Sequence, residues 1–110
     1  MMLLYVASEA IGHGSDELGK ILTPAYLNAF LKGENLPDVI AFVNSGVKLL
    51  TAESPALTAL KELEAKGVRL LACGTCLDYF DLKDKLAVGG PTNAVEITGL
   101  MMSADKVIKV

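Results

Sequence analysis

The sequence predicts an α/β protein, a three-layer α/β/α sandwich around a mostly parallel sheet of four or five strands. Three observations carry this. Short, strongly apolar runs recur at Met2 to Ala7, Asp38 to Val43 and Val68 to Ala72, the pattern of parallel strands buried on both faces. Amphipathic helical patterns separate these runs, and strands alternating with helices form parallel pairs joined by right-handed crossovers. Apolar residues make up 52% of the 110 residues and charged residues 21%, with a mean hydropathy of +0.44, so one domain over residues 1–110 has enough apolar surface for a core.

The same composition excludes several functions. The net charge is −3 and the Lys and Arg residues are scattered, which leaves no basic stripe for nucleic acid. No apolar run approaches the roughly 20 residues a membrane span needs, and Met1-Met2-Leu3-Leu4-Tyr5 lacks the basic start of a secretion signal, so a cytoplasmic protein is expected.

In chain order, Met2 to Ala7 is the first strand, expected near the centre of the sheet. In the loop Ser8 to Glu17, Gly12 and Gly14 flank His13, and Ser15 caps a helix whose first turn carries Asp16 and Glu17. Leu18, Ile21, Leu22, Ala25, Tyr26 and Ala29 follow helical spacing and are expected to be its buried face, with a bend at Pro24 and a stop at Gly33. Asp38 to Val43 is the second strand, followed by the loop Asn44-Ser45-Gly46-Val47-Lys48. Ser54-Pro55 starts a helix that buries Ala56, Leu57, Leu60 and Leu63, carries a Glu62 to Lys66 pair outside and ends at Gly67. Val68 to Ala72 is the third strand.

One or two helical turns fit Leu77 to Leu86, and a very short strand fits Ala87 to Pro91. Asn93 and Glu96 have capping-box spacing before a helical face of Ile97, Leu100, Met101 and Ala104. Lys106 to Val110 alternates as an edge strand.

The chemistry concentrates at Cys73-Gly74-Thr75-Cys76, where the third strand runs into a helical turn. The turn's N–H groups favour thiolate there. In open α/β sheets ligands bind outside the carboxyl ends of the strands, so the loops of His13 and Lys48 share this rim. Four readings fit two cysteines at this spacing. They are small buried hydrophobes, part of a zinc site completed by a second subunit, a thioredoxin-like disulfide exchanger, or a sulfur or selenium carrier. Within one chain, two cysteines and one histidine fall short of a closed zinc site, so no metal is expected. Thioredoxin chemistry lacks its cis-proline dipeptide and an aromatic residue before Cys73.

Cys-Gly-Thr-Cys-Leu-Asp-Tyr-Phe after the third strand, Asn-Ser-Gly-Val-Lys after the second and Gly-x-Gly-x-Asp-Glu-Leu-Gly after the first resemble the DsrE-like sulfur-relay family. Within it they closely resemble the C-terminal domain of YedF-type selenium-metabolism proteins, and the ending Ser103-Ala104-Asp105-Lys106-Val107-Ile108 fits as well. The resemblance implies an α/β/α sandwich and a sulfurtransferase-like role without a cofactor, in which Cys73 accepts persulfide sulfur. It also implies a homo-oligomer, and a sulfur donor that is either a TusA-like domain acting in trans or a small persulfide or selenium species.

On this reading Cys76 is the resolving thiol and Lys48 supplies positive charge near the sulfur. His13 serves as proton donor or anion contact, and Asn44 and Ser45 bind a small anion or the oxidised sulfur group. The alternative is a non-catalytic ligand-binding, partner-binding or redox-sensing module on the same fold.

Overall fold

The computed structural model describes residues 1–110. Five parallel strands form one sheet: β1 (Met2–Val6), β2 (Val39–Phe42), β3 (Arg69–Cys73), β4 (Gly90–Thr92) and β5 (Lys106–Lys109), in the order β4-β3-β2-β1-β5. The four helices are α1 (Asp16–Lys32), α2 (Leu57–Ala65), α3 (Gly74–Tyr79) and α4 (Ala94–Ser103), and Asn44–Leu50 forms a 3-10 helix after β2. The chain steps outward from β1 to β4, then crosses back under the sheet through α4 to place β5 beside β1.

Alternation along the strands sorts side chains between two cores. Leu4, Val6, Ile40, Phe42, Leu70 and Ala72 face α1, α2 and the 3-10 helix, meeting Leu27, Val47, Leu50, Leu60, Leu63 and Leu77 in the larger core. Leu3, Val39, Ala41 and Leu71 face α4 and pack on Ile97, with Leu100, Met101 and Ala104 beside them. The sheet is thus the middle of three layers, as the apolar runs require.

Two helix starts follow their expected caps, whereas α2 begins at Leu57 after an Ala56 that offers no side-chain cap, two residues beyond the expected Pro55. Ser15 Oγ accepts from the N–H of Leu18 at 3.1 Å, and Asn93 Oδ1 from the N–H of Glu96 at 2.9 Å. Glu96 does not complete a capping box. Its carboxylate takes the Thr92 hydroxyl and an ion pair with Arg69 instead.

Three expectations are corrected. Glu62 and Lys66 make no ion pair, and α2 buries Ala59 with Leu60 and Leu63 while Leu57 is only half-buried. More consequentially, α1 turns a different face inward. Gly19, Thr23 and Leu27 are buried, while Leu18, Ile21 and Tyr26 are 52%, 59% and 50% exposed.

The reason lies at Gly19. A Cβ there would sit 2.8 Å from Ala10 Cβ and 2.9 Å from the Ile11 carbonyl, so only glycine allows this close approach to the preceding loop. Four residues on, the buried Thr23 hydroxyl donates to the Glu9 carbonyl at 2.8 Å and the Gly19 carbonyl at 3.0 Å. Helix and loop are locked through a polar face that hydrophobic periodicity does not register. Pro24 lies within the helix and does not end it.

Candidate functional site

The carboxyl ends of β1, β2 and β3 deliver their residues to one rim. Cys73 is the last residue of β3 and the cap of α3, and Cys76 lies in the first turn beyond it. Both are free thiols and half-buried. β2 hands the chain to Asn44, which opens the 3-10 helix in the left-handed region at φ 50°. That backbone turn aims the Asn44 N–H at Cys76 Sγ, 3.0 Å away.

Burial pushes the Cys76 thiol above its ordinary range, and a hydrogen bond to Cys73 raises it further, while the Asn44 N–H acts in the opposite sense. Cys76 is therefore held as a thiol near neutral pH. α3 has only six residues, and the backbone donor recorded at a sulfur belongs to the 3-10 helix instead.

Ser45, next in that segment, accepts from the N–H of Glu9 at 3.0 Å and lies 3.5 Å from the Ser8 hydroxyl, so it ties the β1 loop to the β2 loop. Gly46 makes the approach possible, because a Cβ there would lie 2.5 Å from the Val6 carbonyl oxygen. The Lys48 ammonium sits 3.4 Å from a Glu9 carboxylate oxygen and 4.5 Å from the centre of the Phe80 ring. His13 is exposed on its loop between Gly12 and Gly14, both at positive φ, and makes no hydrogen bond or ion pair. Beyond the two cysteines, no group of three or more His, Cys, Asp or Glu side chains converges in the chain to hold a metal ion.

Sequence reasoning missed Glu9 and Phe80. The Glu9 carboxylate bridges Lys48 and Lys20, each at 3.4 Å, and Phe80 packs edge-on against Tyr79 beneath Lys48. Together with Thr51, Glu53, Ser54 and Leu82 they line an open cleft of about 430 Å³ whose wall does not include the cysteines. The available signal was positional. Glu9 lies in the loop just after the first strand, at the same rim as His13.

A sequence model described as the DsrE/DsrF-like family matches residues 7–110. Among solved structures, the ychN protein of E. coli superposes with a TM-score of 0.71 at 22% identity, covering 100% of both chains. The protein MTH1491 of Methanobacterium thermoautotrophicum, described as of unknown function, gives 0.72 at 19% identity over 99% of this chain and 97% of its own. BT1422 of Bacteroides thetaiotaomicron, likewise of unknown function, gives 0.61 at 17% identity over 99% and 94%. These likenesses concern the fold. No curated protein gives a significant match.

Proposed function

Because the chain belongs to the DsrE/DsrF-like family, we propose that it works in sulfur relay and accepts a persulfide sulfur, or its selenium counterpart, on Cys73. One observation carries the reading. Two free thiols three residues apart stand where a parallel strand runs into a helical turn, with a backbone N–H on the second sulfur.

The two cysteines have unequal roles. Cys76, which burial above all keeps protonated, is the slower nucleophile of the two, and Cys73 takes the incoming sulfur. The Cys73 thiolate attacks the outer sulfur of a donor persulfide. The donor's S–S bond breaks, the donor leaves as thiolate, and Cys73 carries the new S–S bond. An acceptor thiolate takes the sulfur by the same exchange in reverse.

Should Cys76 ionise, it attacks Cys73 Sγ and expels hydrosulfide. The transferred sulfur is then reduced by two electrons and the pair is oxidised to a disulfide, which a dithiol reductant must reopen. Keeping Cys76 protonated slows this loss and lengthens the life of the carried sulfur.

On this reading Lys48, paired with Glu9, offers positive charge to an anionic donor, Asn44 and Ser45 contact the donor's charged group, and exposed His13 is available to a docked partner. On the sequence resemblance to YedF-type C-terminal domains, the further cargo is selenium and the donor a TusA-like domain. A cytoplasmic setting suits thiols that must stay reduced. No helix is long and apolar enough to cross a membrane.

Intact mass after incubation with inorganic polysulfide tests the proposal. Wild type and Cys76→Ser gain sulfur and Cys73→Ser does not. An adduct that persists in Cys73→Ser overturns the assignment, and no adduct on wild type overturns the carrier reading. The latter result favours a ligand-binding module, a reading supported by the Glu9–Lys48 cleft.

A further inference from the structure

The cleft that Glu9 and Lys48 line has no net charge, yet its charges do not cancel locally. Lys20 from α1 and Lys48 from the 3-10 helix share the single carboxylate of Glu9, and their side chains stay 59% and 44% exposed, so both ammonium groups keep donors free. Glu53 lies in the same lining without an ion-pair partner in the chain. We propose that this cleft binds a small zwitterion of dipeptide size that carries an apolar side chain.

Charge selects the class. Two ammonium groups on one carboxylate leave a positive charge over at Glu9, and unpaired Glu53 leaves a negative one. A simple anion meets the repulsion of Glu53, and a simple cation meets that of the lysines. A molecule that holds a carboxylate and an ammonium apart satisfies both.

The neutral groups of the lining narrow it further. Thr51 Oγ1 donates to the Lys48 carbonyl at 2.8 Å, and Ser54 Oγ accepts from the Ala56 N–H at 3.1 Å. Thr51 therefore keeps a lone pair to accept with and Ser54 an O–H to donate, the two partners that one peptide unit needs for its N–H and C=O. Buried Leu49 and half-buried Phe80 and Leu82 add the apolar surface for a side chain. Two extended residues span about 7 Å, on the order of the cube root of the cleft's volume of about 430 Å³.

Because the charges are exposed and the cleft is open, each ion pair contributes little and binding lies in the millimolar range. Neither cysteine belongs to the lining, so the inference goes beyond sulfur relay and stands whether or not Cys73 carries sulfur.

Titration of the full chain with alanyl-leucine, followed by amide proton–nitrogen NMR, tests it, in wild type and in Cys73→Ser so that the result does not depend on sulfur transfer. Shifts concentrate at residues 48–55 and 80–82 in both proteins. Propionyl-leucine, which lacks only the amine, and alanyl-leucinamide, which lacks only the carboxylate charge, each bind about fivefold more weakly. Lys20→Gln and Glu53→Gln each weaken alanyl-leucine to a similar degree and leave sulfur uptake from polysulfide unchanged. No shift up to the solubility limit of the dipeptide overturns the proposal. So does equal binding of propionyl-leucine or alanyl-leucinamide, which marks a site for a simple anion or a simple cation, and so does dipeptide binding indifferent to both Lys20→Gln and Glu53→Gln.

Discussion

The Asn44 N–H donates to Cys76 Sγ at 3.0 Å, joining the turn after β2 to the helix after β3. A residue at φ 50° that serves a sulfur in this way makes the thiol pair depend on backbone geometry as much as on the cysteines themselves.

The first prediction concerns that thiol. Burial first and the Cys73 hydrogen bond second raise the Cys76 pKa, so its alkylation by iodoacetamide should rise at a pH above the roughly 8.5 of a free cysteine. Cys73→Ala removes the second cause and leaves the first, so the midpoint moves down partway. The linkage has a definite sign. The folded pKa exceeds the unfolded one, so the stability contribution is complete below the unfolded value and is lost as pH rises through the folded one. Peptide-resolved mass spectrometry across pH checks the midpoint. A Cys76 that titrates like a free thiol contradicts it.

A second prediction tests the close approach at Gly46. Gly46→Ala drives a Cβ into the Val6 carbonyl and should cost about 1–3 kcal/mol, lowering Tm by several degrees. The shift also displaces Asn44, so Cys76 alkylation should change in the same variant. Unchanged melting and unchanged alkylation together would refute it.

Thr23 offers a third. Thr23→Val keeps the shape but removes the donor to the Glu9 and Gly19 carbonyls, at a cost of about 1–2 kcal/mol by denaturant titration. Hydrogen exchange should quicken in residues 8–15, which the hydroxyl anchors to α1, and not in β3.

The fourth separates charge from packing. Lys48→Gln gives up a partly exposed ion pair, so stability should change by less than about 1 kcal/mol. Sulfur uptake from polysulfide, an anion, should slow at low ionic strength and converge with wild type at high salt. An equal defect at all salt concentrations would point to a packing role through Phe80.

The layers and the rim were legible in the sequence because they follow from apolar runs, capping residues and the habit of open sheets. Ser15 and Asn93 cap as expected, and Cys73 arrives where the third run ends. What was not legible has two physical origins. Periodicity says that a helix has an apolar face but not what covers it, so Leu18 and Ile21 were assigned to the core while glycine and threonine took their place. The Asn44–Cys76 contact depends on one left-handed backbone residue, and Asn adopts that region without any neighbouring signal. Glu9 escaped because its importance comes from two lysines far along the chain.

Strand order also has a consequence in time. β1, β2, β3 and β4 pair with neighbours one crossover away, but β5 must return across nearly the whole chain to reach β1. Closing the longest loop is the entropically slowest pairing, so β5 docks last as the molecule folds. Asn44, Cys73 and Cys76 all belong to the part that assembles before it. A nascent molecule can therefore hold its thiol pair in place while one edge of β1 is still bare, and during that interval the edge is a template for any other extended chain.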